Sequence, residues 1–412
     1  MQKPRACPRW LALDEEEDMQ DRIVLLDGAR TPVGSFGGAF KSVPAHELGA
    51  TAVRGALARA GVAAEEVGEV VMGCVGQTGP DAYNARRVTL AAGLPDKTPA
   101  YTVNRLCGSG LQAVWSAAMQ LRCDPEVAFA VAGGDENMTR QPFLDFSART
   151  GYALGDRTFV DGTVALLTDP FHGIHMGRTA EAVARRYGVS RADQDAFAAE
   201  SQRRAAQAEA REAFAEEMVP VEIGGRRPAV ITDDEHPRPD TTVEALSRLR
   251  PVFEDGGTVT PGNASGINDA AAALVLTRES VAQDRGLRPL AVLESVTTAA
   301  LEPEIMGYAP TLAIGRLLER NGLTVADVDV VELNEAFAAQ ALAVIRDAGL
   351  NPERTNPYGG AIALGHPIGA TGAILTLRAA KDLVRRDLEL AVVSLCIGGG
   401  QALAALLRRY DG

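Results

Sequence analysis

The chain has 412 residues, of which 46% are hydrophobic and 23% charged, and 41 Lys and Arg against 54 Asp and Glu give a net charge of −13. This composition is typical of a globular protein with a large core divided into two or three domains. The acidic balance excludes non-specific attraction to nucleic acid or to an anionic membrane, so we expect neither as a partner. An anionic ligand therefore requires a local basic pocket.

Residues 1–21 are predicted to form a flexible N-terminal extension, because they lack the apolar h-region of a signal peptide. No segment approaches the ~20 consecutive apolar residues of a membrane helix. The cysteines are widely spaced, without CxxC pairs or His partners at zinc spacing; they are Cys7, Cys74, Cys107, Cys123 and Cys396. We therefore expect no disulfide, no metal site and a reducing, cytoplasmic location.

The first part of the chain alternates predicted helices and strands. The stretch "AVRGALARAGVAAEEVGEVVMG" (52–73) predicts a helix, a Gly stop, an acidic turn and a Val-rich buried strand. Next, "CGSGLQAVWSA" (107–117) places Cys107 before a Gly-containing turn and an apolar helix. An arbitrary free Cys is usually inert packing, but a helix N-terminus stabilises a thiolate. Cys107 is therefore a candidate nucleophile.

Residues 139–267 have a different character. They are rich in Arg, Asp and Glu, with short predicted helices and with Gly- and Pro-containing loops at "DPFHGIHMG" (169–177) and "EHPRPDTT" (235–242). We interpret this segment as an insertion that shapes a ligand site. A solvated arm used for oligomerisation is the alternative.

The last part of the chain repeats the first. The stretch "AIGRLLERNGLTVADVDVVELN" (313–334) aligns without a gap on 52–73, and "HPIGATGAILTL" (366–377) parallels 107–117. Two similarities in the same order indicate an internal duplication. Short strands alternating with helices predict a layered α/β fold with two similar halves. We expect the reactive residues to meet where the halves meet.

Five dispersed motifs occur together and in order: "NRLCGSG" (104–110), "GNASGINDAAA" (262–272), "NEAFAAQ" (334–340), "GGAIALGHPIGATG" (359–372) and "CIGGGQ" (396–401). With them the chain resembles the thiolases, among them the bacterial biosynthetic β-ketothiolases and acetyl-CoA acetyltransferases, from about residue 22 to residue 409. The resemblance implies a thiolase fold, with two duplicated βαβαβαββ halves in a five-layered α/β/α/β/α arrangement and an inserted loop domain. The halves would be 22–138 plus 268–288 and 289–412, and the insertion 139–267 would serve CoA binding and oligomerisation as a homotetramer.

The implied activity is the reversible condensation of acetyl-CoA with acyl-CoA to 3-ketoacyl-CoA and CoA, by a ping-pong mechanism through acyl-Cys107. Coenzyme A enters as substrate and product, and no other cofactor is expected. A degradative 3-ketoacyl-CoA thiolase of fatty-acid metabolism is the alternative, and 169–177 resembles enzymes that accept chains longer than acetoacetyl. A ketoacyl synthase is disfavoured because its second half supplies two catalytic His residues, whereas Cys396 stands here. A non-catalytic lipid-transfer homologue is disfavoured because it would lack the nucleophile.

The resemblance assigns a role to each catalytic position. Cys107 matches the nucleophile, and His366 matches the base that activates it, a task suited to the unperturbed pKa of imidazole. Cys396 matches the acid and base for the α-proton. Asn334 matches the residue that holds a water, which together with His366 would form one oxyanion hole. The backbone N–H groups of Cys107 and Gly398 would form the other.

A second set of positions matches contacts to the substrate. Arg238 corresponds to a contact with the nucleotide end of CoA, where a guanidinium gives bidentate phosphate geometry. Ser265 corresponds to a contact with the pantetheine arm. The residues expected to line that arm and the acyl pocket are His175, Met306 and Phe337.

Overall fold

The computed structural model describes residues 21–225 and 228–412, so the predicted N-terminal extension, apart from Asp21, lies outside the described residues. The N-terminal part of the chain builds five strands and three helices. The strands are β1 (Ile23–Arg30), β2 (Gly34–Ser35), β3 (Val67–Gly73), β4 (Ala100–Val103) and β5 (Phe129–Asn137). The helices are α1 (Ala45–Ala60), α2 (Asn84–Ala91) and α3 (Ser109–Cys123).

The polar segment that follows forms helices and three small hairpins. Its strands are β6 (Phe143–Leu144), β7 (Val160–Asp161), β8 (Thr168–Asp169), β9 (Ile174–His175), β10 (Val221–Ile223) and β11 (Ala229–Ile231). Its helices are α4 (Gly162–Leu166), α5 (Met176–Tyr187), α6 (Arg191–Ala205), α7 (Ala208–Glu217) and α8 (Val243–Ser247). In the described part of the segment, β6 pairs with β7, β8 with β9 and β10 with β11, and none of these strands joins the main sheet.

The chain then returns to the main sheet. The remaining strands are β12 (Asn268–Arg278), β13 (Ala291–Ala300), β14 (Val330–Leu333), β15 (Leu390–Ile397) and β16 (Gln401–Arg409). The remaining helices are α9 (Glu279–Asp284), α10 (Ala309–Arg320), α11 (Ala338–Asp347), α12 (Ala361–Leu364) and α13 (Thr371–Arg385). No helix in the described ranges has the length and apolar character needed to span a bilayer.

The main sheet has the strand order β14-β15-β16-β13-β1-β12-β5-β3-β4, with β2 paired to β12. The two halves join where β1 pairs briefly with β13, at Val24–Val292 and Leu25–Ala291. The first half has the order βαβαβαββ, completed by β12 after the inserted segment. The second half follows the same order, and its third strand is reduced to a parallel bridge between Val331 and Thr355.

Three apolar clusters separate the layers. One buries α1 and α2 against an outer face of the N-terminal strands, and another buries α10 and α11 against the C-terminal strands. Between the two groups of strands, α3 and α13 pack against each other in the third cluster. These contacts give the five layers expected of the thiolase fold, with two helices in the centre.

The sequence repeat is visible in matched glycines. Gly61 and Gly322 follow α1 and α10 with φ values of 66° and 64°, the left-handed conformation that glycine adopts without strain. Gly110 and Gly372 occupy equivalent places in the first turns of α3 and α13. A Cβ on Gly110 would lie 2.6 Å from the nitrogen of Ala373, and one on Gly372 would lie 2.3 Å from that of Leu111. The two helix starts are therefore in backbone contact.

Candidate active site

Cys107 lies on a tightly folded loop that leads into α3. Leu106, just before it, has φ 47°, an uncommon conformation for a residue with a branched side chain. The hydroxyl of Ser109 accepts from the backbone N–H of Arg105 at 2.9 Å and donates to the carbonyl of Leu106 at 2.7 Å. Asn104 accepts from the N–H of Leu106 at 3.0 Å. These bonds hold Cys107 in one orientation at the helix start.

Cys107 is partly buried and borders a cavity of about 370 Å³. Burial raises the pKa of Cys107 to about 11, although the backbone N–H groups of Gly398 and of Cys107 itself hydrogen-bond the sulfur and favour the thiolate. The sequence suggested the opposite direction, because a helix N-terminus lowers a thiol pKa. Desolvation outweighs both effects here, so the resting group is a neutral thiol that needs a base.

His366 is buried in the loop that leads into α13, and its backbone N–H and both ring nitrogens have polar neighbours. Its N–H donates to Oδ1 of Asn268 at 2.9 Å, and its Nδ1 lies 2.7 Å from the hydroxyl of Thr371. That hydroxyl donates to the carbonyl of Pro367 at 2.9 Å, so it accepts from Nδ1–H. Nε2 is then the unprotonated nitrogen, and burial lowers the pKa of His366 to about 4. The imidazole is neutral and can accept a proton at Nε2.

Asn334 follows β14 and reaches the same nitrogen. Its Nδ2 lies 3.4 Å from Nε2 of His366, and its backbone carbonyl accepts from the side-chain amide of Gln340 at 3.2 Å. Oδ1 of Asn334 is buried without a hydrogen-bond partner in the described part of the chain. A buried amide oxygen of this kind requires a donor, and a bound water meets the requirement.

Cys396 is fully buried near the end of β15, two residues before Gly398. Burial raises the pKa of Cys396 far above its usual range, and the charge of a Cys107 thiolate raises it further. The two thiols are therefore close enough to interact electrostatically. Cys396 packs in an apolar cluster that includes Met306 and Phe337.

The residues expected along the acyl pocket and the pantetheine arm gather around the same cluster. His175 stacks on Phe253 with ring centroids 4.8 Å apart, and Phe253 packs edge-on against Phe337 at 6.3 Å. The backbone N–H of Ser265 donates to the carbonyl of Ala336, next to Phe337, at 3.0 Å. With Met306 from that cluster, four predicted binding residues are thus brought together, and Phe253 is an addition that no sequence motif indicated.

Arg238 is placed apart from the catalytic residues. It is exposed and borders a surface cavity of about 500 Å³, formed with the loop that precedes α8, the second half of that helix and Leu249. Its backbone N–H donates to Oε1 of Gln202 at 2.7 Å, and no carboxylate in the described ranges pairs with its guanidinium. The side chain is therefore available to an anionic ligand in this cavity.

Glu136 joins the loop after β3 to the loop that follows His366 in the second half. Its buried carboxylate accepts from the backbone N–H groups of Val75, Gly76 and Gly369, each at 3.0 Å. Burial raises the pKa of Glu136 to about 7 against these three donors. The sequence reasoning did not find this role or that of Asn268, because their contacts join segments far apart in the chain, and it also missed Thr371, which lies only five residues after His366.

A duplicated α/β fold with a cysteine and a histidine at two contacting helix starts defines a class of proteins that use a thiol nucleophile. Two family models match this chain: Thiolase, N-terminal domain, over residues 23–280, and Thiolase, C-terminal domain, over residues 287–409. The chain therefore belongs to the thiolase family.

Individual relatives agree with this assignment over nearly the full length. The chain is 50% identical to beta-ketothiolase BktB of Cupriavidus necator over 395 residues, which are 95% of this chain and 100% of that one. It superimposes on the acetyl-CoA acetyltransferase of Bacillus anthracis with a TM-score of 0.93 at 41% identity, covering 95% of this chain and 99% of that one. Human mitochondrial 3-ketoacyl-CoA thiolase in complex with CoA gives 0.91 at 40% identity, covering 95% and 98%.

Proposed function

We propose that the protein catalyses reversible acyl transfer between coenzyme A thioesters, condensing acetyl-CoA with an acyl-CoA to a 3-ketoacyl-CoA and free CoA. The observation that carries this proposal is the position of Cys107, which borders the 370 Å³ cavity and whose sulfur receives the backbone N–H of Gly398. Membership of the thiolase family supports the same reaction. Coenzyme A serves as substrate and product, and the reaction requires no metal and no other cofactor.

The first half-reaction forms an acyl-enzyme. The thiol of Cys107 loses its proton to Nε2 of His366, and its sulfur attacks the thioester carbonyl. The oxyanion that forms is stabilised by the backbone N–H groups of Cys107 and Gly398. When the carbonyl re-forms, the thiolate of CoA leaves and takes the proton from His366. Thr371 keeps Nε2 free for both transfers.

The second half-reaction forms the carbon–carbon bond. Cys396 gives its thiol proton to Nε2 of His366 and, as a thiolate, removes the α-proton of acetyl-CoA, while the Nε2–H of His366 and a water on Asn334 stabilise the enolate oxygen. The enolate carbon attacks the acyl group, and the Cys107 thiolate that leaves takes the proton from Nε2 of His366.

The segment 139–267 supports the finer parts of the proposal. Arg238 binds the phosphates of CoA, and Ser265, His175, Met306 and Phe337 border the pantetheine arm and acyl group. Exposed aromatic side chains at Phe143, Phe146, Tyr152 and Phe159 provide an apolar face for assembly as a homotetramer in the cytoplasm. The cavity beside Cys107 has room for acyl groups longer than acetyl, which favours a biosynthetic or fatty-acid role with chains beyond acetoacetyl.

Mass spectrometry and kinetics test this function directly. Incubation with acetyl-CoA should add one acetyl group to Cys107, and CoA or acetyl-CoA should discharge it. A series of acetoacetyl-, 3-ketovaleryl- and 3-ketohexanoyl-CoA should be cleaved in the presence of CoA, with the longer substrates at least as good as the first. Absence of both the acyl-enzyme and thiolysis would overturn the proposal, and sedimentation of the native protein reports the assembly.

A further inference from the structure

His236 lies between the segment that carries Arg238 and the loop that carries His366. Its Nδ1 is 3.3 Å from Nδ2 of Asn268, and its other ring nitrogen donates to the carbonyl of Ile362. Asn268 in turn accepts from the N–H of His366 at 2.9 Å. The imidazole therefore contacts both ends of the short segment 362–366, once directly and once through an amide.

Backbone groups fix the donor and the acceptor of each hydrogen bond that links His236, Asn268 and His366. Oδ1 of Asn268 faces the N–H of His366, and its Nδ2 donates to the carbonyl of Gly34 at 3.0 Å. Nδ2 must then donate to Nδ1 of His236, which leaves the proton of His236 on the nitrogen that faces Ile362. Burial, assisted by the charge of Arg238, lowers the pKa of His236 and keeps the ring neutral.

The surroundings leave these side chains little freedom. A Cβ on Gly266 would lie 2.3 Å from Cε1 of His236, and a Cβ on Gly365 would lie 2.6 Å from Cγ of Asn268. Gln202 closes the arrangement, because its amide donates to the carbonyl of Ile362 at 3.3 Å and its oxygen accepts from the N–H of Arg238 at 2.7 Å. The segment 236–238, which carries the proposed nucleotide contact Arg238, and the loop that carries His366 are thus fixed relative to each other.

We propose that His236 is a positioning residue, which fixes the backbone of His366 through Asn268 and couples the CoA-binding segment to the catalytic base. The proposal rests on the proposed function for the role of His366 as base. Its specific content is that the bond from Asn268 to Nδ1 of His236, more than the bond to Ile362, fixes the backbone and hence the imidazole of His366 in the position needed for proton transfer.

Two substitutions separate the two bonds of His236. His236→Asn keeps an acceptor near the place of Nδ1 and loses the donor to Ile362, whereas His236→Gln keeps that donor and loses the acceptor. The readout is the rate of Cys107 alkylation by iodoacetamide against pH, which depends on the base and not on nucleotide binding. We expect His236→Gln to lower this rate and kcat about three- to tenfold with an unchanged KM for acetyl-CoA, and His236→Asn to stay within about twofold of wild type.

The opposite pattern overturns the proposal. If both variants alkylate like wild type, or if only KM rises, His236 merely packs the nucleotide-side segment. Should His236→Gln fail to fold, His236→Ala removes both bonds of the ring with a smaller side chain and should give the same drop in alkylation; a wild-type rate would overturn the idea. Failure of the proposed function is distinguishable, because wild type itself would then form no acyl-enzyme from acetyl-CoA.

Discussion

The junction of the two halves and the inserted segment 139–267 contribute to the site in different ways. At the junction His366 is 5% exposed, and Asn334 and Cys396 are fully buried. In the insertion, Arg238 is exposed at the edge of an open cavity. Buried groups with fixed partners suit proton transfer and oxyanion stabilisation, whereas an exposed guanidinium suits attraction of a phosphate. Substitutions at the junction should therefore change kcat, and those in the insertion should change KM.

The largest expected effect separates the two cysteines of the junction. Cys107→Ala should form no acyl-enzyme and lose at least about 10⁴-fold in turnover, because the nucleophile is gone. Cys396→Ala should still acetylate from acetyl-CoA, since that half-reaction needs only Cys107, His366 and an oxyanion hole, yet condensation and thiolysis should collapse. Mass spectrometry of the intact variants after incubation with acetyl-CoA checks both expectations.

The exposed Cys123 provides a matched control for this pair. Cys123→Ala should acetylate and turn over like wild type. The reverse pattern, with Cys107→Ala acetylated and Cys396→Ala not, would contradict the assignment of roles to the two thiols.

Asn334 tests the proposal that a water bound at the junction of the two halves stabilises the enolate oxygen. Asn334→Ala removes the buried Oδ1 that lacks a protein partner and the Nδ2 beside His366, so kcat for condensation should fall about 10²- to 10³-fold. The KM for acetyl-CoA should stay within about twofold in steady-state kinetics. Asn351→Ala, at an exposed position, is the control. A rise in KM at constant kcat would place Asn334 with the binding residues instead.

The sequence predicted the repeated elements well because each rests on a local pattern. Gly61 and Gly322 end their helices as the aligned repeat indicated, and the turns before α3 and α13 follow their motifs. The direction of the Cys107 pKa shift could not be predicted, since it depends on how deeply both halves bury the sulfur. The roles of Asn268 and His236 were equally hidden, because they follow from contacts between segments about 30 to 130 residues apart.

Arg238 tests whether the inserted segment contributes to substrate binding rather than to turnover. Arg238→Ala should raise the KM for CoA thioesters about five- to thirty-fold and leave kcat nearly unchanged, because a remote phosphate contact binds ground state and transition state alike. Kinetics with acetyl-CoA and with acetyl-pantetheine, which lacks the nucleotide, give an internal control: only the former should respond. An unchanged KM for acetyl-CoA would assign the phosphates to another basic residue.

Thr371 gives the smallest expected effect and the finest test of the junction. Its hydroxyl holds the proton of His366 on Nδ1, so Thr371→Val should lower kcat about five- to tenfold, whereas Thr371→Ser should stay close to wild type.

The pH dependence of Cys107 alkylation gives a second test of the same hydrogen bond. With the pKa of Cys107 raised to about 11 and that of His366 lowered to about 4, both groups are neutral from pH 6 to pH 9, and the rate of alkylation by iodoacetamide should rise with pH throughout this range. In Thr371→Val part of the imidazole carries its proton on Nε2, so the alkylation rate should be lower at every pH and the slope unchanged. A variant with wild-type alkylation but a raised KM would mean that Thr371 acts on substrate binding, and the division between junction and insertion would fail at this residue.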